Sequence, residues 1–309
     1  MDSMGDDNSK TITGVLPVFQ TPYREDESID PGILEREIDW LFDEGVDGIV
    51  MAMVSEVLRL TDRERMQLAE WSCDFAKGRG KVIISVGAES SRAAEEFAKQ
   101  AEQCGADALM AIPPVATAAS EAELEEYYSR MIRSVGIPLI VQDASGYVGQ
   151  PMSIDFQARL LYEFGPHRVW FKPEATPIGP RLTQLREATK GRARVFEGTG
   201  GIALVDSYQR GIAGTIPGAD LVPGIVPLWK ALESGDLERA TRIHGPLSSL
   251  VSLQSSLDGF LAVEKHLLVR QGIFENEIVR GPRGFLLDPE TRREVDRLFD
   301  LMIAATHDT

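Results

Sequence analysis

The stretches EGVDGIV (44–50), QCGADALM (103–110) and RGIAGTI (210–216) share one pattern: a helical segment ends at a glycine and an apolar run follows at once. The joint glycines, Gly45, Gly105 and Gly211, lie 60 and 106 residues apart. Those intervals are close to two and four units of about 27–30 residues, the length of one strand–helix unit. Working outward, apolar runs predict strands near 12–19, 47–53, 81–87, 107–112, 137–143, 168–172, 193–197 and 212–217. The runs are apolar throughout rather than alternating, which reads as a parallel sheet buried on both faces. Between them lie helices with recognisable starts. Asp30 precedes Pro31 as an N-cap, and Thr61 with Glu64 and Ser120 with Glu123 have capping-box spacing.

Eight such units over residues 11–235 predict a (β/α)8 TIM barrel in the α/β class. A doubly wound sheet remains the rival, since periodicity alone does not separate the two. The strand signals stop near residue 235. Residues 236–271 and 289–306 read as helices, so 236–309 is expected to be a C-terminal helical extension packed on the barrel. Residues 1–10 read as a disordered tail.

Composition narrows the function. The 309 residues carry 32 Lys and Arg against 48 Asp and Glu, a formal charge of −16. Such a chain repels phosphate backbones and anionic lipid, so no nucleic-acid or membrane partner is expected. No apolar run approaches the roughly 18 residues of a membrane span, and the acidic start is unlike a secretory signal. Cys73 and Cys104 are the only cysteines, which excludes a disulfide framework and suits the cytoplasm. The four histidines have no metal-ligand spacing, and neither metal nor cofactor is called for.

In a parallel barrel the chemistry sits at the C-terminal strand ends, which here carry Gln20, Thr21, Ser55, Glu56, Gln142, Asp143, Lys172, Glu174, Glu197 and Thr199. Lys172 ends the apolar strand RVWFK. A lysine in an apolar mouth loses hydration, which favours free amine, and free amine attacks a ketone to give a Schiff base. The alternative is a lysine that snorkels to the surface or pairs with Glu174. Glu174 and Glu197, on neighbouring strand ends, could supply a general acid/base pair or form a structural ion cluster. Gly198–Ala203 matches GxGxxA, but on a seventh unit rather than a first. Its amides could equally hold a substrate carboxylate or hydroxyl.

These motifs resemble the dihydrodipicolinate synthase and N-acetylneuraminate lyase superfamily of class I Schiff-base lyases. The resemblance rests on GVLPVFQTPY (14–23) and on Lys172-Pro173-Glu174-Ala175-Thr176, and it runs from residue 12 to about 305. It implies Schiff-base duty for Lys172, a small 2-keto acid as substrate, and a homo-oligomer, dimer or tetramer. The departures are as informative. The family's Gly-Thr-Thr-Gly-Glu loop reads Ala52-Met53-Val54-Ser55-Glu56, its catalytic tyrosine is Gln142, and its substrate-gripping arginine is Tyr147. Residues 112–118 also lack the tyrosine that synthases lend to a neighbouring subunit. These losses argue against a true synthase.

Ser55-Glu56, Val141 to Ala144, Lys172 with Glu174 and Glu197-Gly198 instead resemble the 2-keto-3-deoxy-L-arabonate dehydratase branch. That resemblance implies a dehydratase of a 2-keto-3-deoxy sugar acid. Lys172, Glu174, Glu197 and Gln142 would form the catalytic set. Val54, Ser55, Glu56, Asp143, Gly198 and Thr199 would bind substrate. A pyruvate-dependent aldolase, a condensing enzyme and a non-catalytic keto-acid binder are the alternatives.

Overall fold

The computed structural model describes residues 12–146 and 150–307, so the expected tail at 1–10 and Tyr147 lie outside the described residues. Strand and helix alternate from the start: β1 (Gly14–Val15), α1 (Pro31–Asp43), β2 (Gly48–Met51), α2 (Asp62–Ala76), β3 (Lys81–Ser85), α3 (Ser91–Gln103), β4 (Ala108–Ala111) and α4 (Glu121–Ser134). The alternation continues through β5 (Leu139–Asp143), α5 (Ile154–Phe164), β6 (Val169–Pro173), α6 (Ile178–Ala188), β7 (Phe196–Glu197), α7 (Leu204–Gln209), β8 (Gly214–Thr215) and α8 (Val222–Ser234). Among the described residues only helices follow: α9 (Leu237–Val251), α10 (Leu257–Arg270) and α11 (Pro289–His307).

All pairings between these strands are parallel. One ladder runs β2-β3-β4-β5-β6 and another β1-β8-β7. Single parallel bridges, Val18 to Val50 and Phe171 to Val195, join the two ladders at both seams. The strands therefore follow one another around a ring in which β8 returns to β1, an order that a doubly wound sheet does not have.

Side-chain parity organises the ring. Val18, Val50, Ile83, Met110, Ile140, Trp170, Phe196 and Ile216 belong to a separate buried cluster that fills the barrel. Their neighbours Ile49, Met51, Ile84, Leu109, Val141 and Phe171 belong to the larger cluster between sheet and helices. Because successive side chains in a strand point to opposite faces, residues two steps beyond the inner layer also face the barrel axis. Gln142 and Lys172 are those residues on β5 and β6, and the two are register partners.

The helices begin where the caps predict. Asp30 accepts from the amides of Gly32 and Ile33, and the Thr61–Glu64 and Ser120–Glu123 boxes both form. Gly45, Gly105 and Gly211 have φ of 89°, 93° and 87°, a left-handed conformation that closes each helix before its strand.

Candidate active site

A cleft with about 420 Å³ of empty space, part of it open to solvent, lies at the C-terminal strand ends and is lined by Lys172, Glu174, Gln142, Val54, Gly198 and Glu264. Trp170 and Phe196, with ring centroids 5.9 Å apart, lie in the inner layer directly below. The β6 strand thus carries Lys172 out of an apolar floor, as its sequence predicts.

The Lys172 side chain is 6% exposed, and its Nζ sits 2.5 Å from Glu174 Oε1. Gln142 Nε2 donates to that same oxygen at 2.8 Å. Glu174 Oε2 is buried with no hydrogen-bond partner. Burial raises the Glu174 carboxyl above its usual range, and the adjacent Lys172 charge and the hydrogen bonds from Lys172 and Gln142 only partly oppose it. Glu174 is therefore placed to take the lysine's proton. Gly198 makes room: a Cβ there would lie 2.7 Å from Lys172 Cε and 2.9 Å from Nζ.

The other expected residues are placed differently. Phe196 points into the barrel, so Glu197 points away from it, toward the helices. Its Oε1 accepts from the Thr199 amide at 2.6 Å and from the Thr199 hydroxyl, and its Oε2 accepts from Thr215 Oγ1 at 2.8 Å. Thr199 Oγ1 in turn accepts from the Ala203 amide at 3.0 Å. Asp143 has the same outward parity and accepts from the Ser145 and Met152 amides, both at 3.1 Å. Ser55 Oγ donates to the Phe19 carbonyl at 2.6 Å and accepts from the Ala52 amide at 3.1 Å. Glu56, at φ 57°, turns its side chain to Lys265 Nζ at 2.5 Å and to the Arg280 amide at 3.1 Å. None of Ser55, Glu56, Asp143, Glu197 and Thr199 lines the cleft, whereas Val54 and Gly198 do. Among the described residues no group of three or more His, Cys, Asp or Glu could hold a metal ion.

Glu264, which sequence reasoning passed over, is 1% exposed and lies on α10. A signal was available. Glu264 falls three residues after Leu261 and four before Leu268, on the apolar stripe of its helix, and both leucines are buried.

The dihydrodipicolinate synthetase family model matches residues 11–300. An L-2-keto-3-deoxyarabonate dehydratase of Azospirillum brasilense is 29% identical over 290 residues, covering 91% of this chain and 92% of that protein. A probable 2-dehydro-3-deoxy-D-pentonate aldolase of Escherichia coli is 25% identical over 268 residues, 85% of this chain and 89% of the relative. The solved 4-hydroxy-tetrahydrodipicolinate synthase of Methylacidiphilum fumariolicum superposes with a TM-score of 0.85 at 21% identity, covering 96% of this chain and 97% of that one. At that identity the likeness supports the barrel fold alone.

Proposed function

The chain belongs to the dihydrodipicolinate synthetase family, and from that premise we propose that it is a lysine Schiff-base dehydratase of a 2-keto-3-deoxy sugar acid. The observation that carries the reading is the buried Lys172–Glu174 pair at the cleft, with Gln142 bound to the same carboxylate oxygen. The Lys172 amine attacks the C2 ketone after passing its proton to Glu174. Glu174 returns that proton to the C2 oxygen, which leaves as water. The resulting iminium acidifies the C3 hydrogens, and Glu174, ionised again and with one oxygen free of partners, removes one of them. Gln142 orients that carboxylate and does not itself shuttle a proton, because an amide has no accessible pKa. The Val54 amide and the Gly198 loop are the candidates to hold the substrate carboxylate.

Carbon–oxygen cleavage is favoured by the variant motifs around Lys172 and by likeness to the Azospirillum dehydratase. Aldol cleavage releasing pyruvate is the second reading, on the strength of the pentonate aldolase relative. Assembly as a dimer or tetramer and a cytoplasmic setting complete the proposal, the latter in keeping with the free thiols of Cys73 and Cys104.

Borohydride reduction in the presence of pyruvate should add mass to the peptide containing Lys172, and Lys172→Met should abolish the label. A panel of 2-keto-3-deoxy acids should then lose water, with little pyruvate released. Pyruvate with aspartate semialdehyde should give no condensation. Labelling that persists in Lys172→Met would remove the Schiff-base assignment, and pyruvate as the main product would make the enzyme an aldolase.

A further inference from the structure

Loss of a C4 hydroxyl needs an acid to protonate it as it leaves, and the two oxygens of Glu197 are already occupied by Thr199 and Thr215. We propose that Glu264 is that acid: a catalytic carboxyl on the wall of the cleft that donates its proton to the departing hydroxyl. This inference rests on the dehydratase reading above and assigns to Glu264 the step that reading leaves without a residue.

The geometry around Glu264 argues that its carboxyl keeps a proton. Gln20 Nε2 donates to Glu264 Oε2, and the Gln20 amide donates to Glu37 Oε1 at 2.9 Å. A Cβ at Gly218, which also lines the cleft, would meet Glu264 Oε1 at 2.5 Å and Asp220 Oδ1 at 2.8 Å, so two carboxyls crowd one glycine. Two buried acceptor oxygens in this group, Gln20 Oε1 and Glu37 Oε2, have no donor, and the Asp220 carboxyl has only the backbone amides of Asp220 and Leu221 beside it. Carboxyl hydrogens are the donors that could serve them. The nearby cation, Lys265, spends its hydrogen bonds on Glu56 Oε1, Thr21 O and Ile278 O, at 2.5, 2.9 and 2.6 Å, and acts on Glu37 and Glu264 through its charge alone. Three buried carboxyls that share one cation, itself paired with Glu56, cannot all be ionised. Burial accordingly pushes Glu264 well above the carboxylate range and neighbouring Asp220 and Glu37 push it further, while the Gln20 hydrogen bond and the Lys265 charge only partly oppose them.

The electrons balance. Lys172 nitrogen replaces the C2 oxygen, releasing one water, and loss of a C3 proton to Glu174 gives the enamine. Its electron pair then forms the C3–C4 double bond as the C4–O bond breaks, and the hydroxyl leaves as water with the Glu264 proton. Hydrolysis of the iminium returns Lys172 and consumes one water, so the net loss is one water. The proton taken at C3 equals the one given at C4, and Glu264 is recharged through exchange with solvent. An aldolase would need the opposite polarity at this place, a base that takes the C4 hydroxyl proton.

The test separates the two ends of the substrate. Pyruvate has C2 and C3 but no C4, so exchange of its methyl protons in D2O requires Lys172 and Glu174 alone. Glu264→Gln should keep exchange and borohydride trapping within about threefold while dehydration of a 2-keto-3-deoxypentonate falls by about 10²–10⁴. Glu264→Asp, a second variant should the glutamine form fail to fold, should dehydrate more slowly than wild type and faster than any variant without a carboxyl. Exchange and dehydration falling together would make Glu264 structural, and dehydration near the wild-type rate in Glu264→Gln would overturn the assignment. A wild-type enzyme that exchanges pyruvate protons but cleaves the pentonate to pyruvate would remove the dehydratase reading itself, a distinct result.

Discussion

Gly198 is a glycine because of room rather than backbone conformation, since the Lys172 side chain runs across the place its Cβ would occupy. Gly198→Ala should therefore push Lys172 out of line. A misplacement of about 1 Å can cost about 10² in rate, and we expect imine trapping to slow by that order. Overpacking should lower stability by about 1–3 kcal/mol. Trapping measured at equal folded fraction checks this, and a wild-type rate would mean that the backbone yields instead. At this scale Lys172 was legible because a charge at the end of a wholly apolar strand has few explanations. Glu197 was legible as a strand-end carboxylate, but not as one facing away from the axis. A one-residue change of register reverses every side chain, and a two-residue strand such as β7 gives no alternation from which to read the facing.

Among the elements, α10 and the turn after β8 bring the acidic group together. The sequence reads 236–271 as helical throughout, whereas the structure ends α9 at Val251 and restarts α10 behind a Ser256 N-cap that accepts from the Gly259 amide. That break sets the direction of α10, and with it the placement of Glu264 and Lys265. Asp220 follows β8 and is pushed up from 3.8 to about 7 by burial. Between those values the folded chain keeps a proton that the unfolded chain has lost. Its stabilising effect is thus complete below pH 3.8 and is lost as pH rises through 7. Asp220→Asn should remove that dependence. We expect the variant to be more stable than wild type at pH 8, by on the order of a few kcal/mol, with the difference shrinking toward pH 5. Denaturant melts at the two pH values check this, and parallel pH profiles for both proteins would show that Asp220 is ionised in the fold without cost.

For the whole molecule, the boundary near residue 235 marks the end of the strands but not the end of a folding unit. Val15 and Phe19 of the barrel share one buried cluster with Leu247, Leu250, Val295 and Met302 of the following helices. Lys265 of α10 neutralises Glu56 of the barrel, with the Glu56 side chain fully buried and that of Lys265 1% exposed. Removing one partner of a buried pair leaves an uncompensated charge that costs about 3–5 kcal/mol. The sequence exposed the strand count through its apolar runs, yet it could not reveal this dependence, because contacts between distant segments leave no periodic trace. A sharp test comes from the tryptophans. Trp40, Trp71, Trp170 and Trp229 all precede residue 235, so their fluorescence reports the barrel, while far-UV dichroism also reports α9, α10 and α11. We expect both signals to change in a single coincident transition on adding denaturant. A chain ended after residue 235 should lack a cooperative melt, because it would expose the faces of α8 that bury Ile225 and Val226 and leave Glu56 without its lysine. Helical signal lost before the tryptophan change, or a shortened chain that melts cooperatively, would make the last three helices a dispensable addition to a barrel stable by itself.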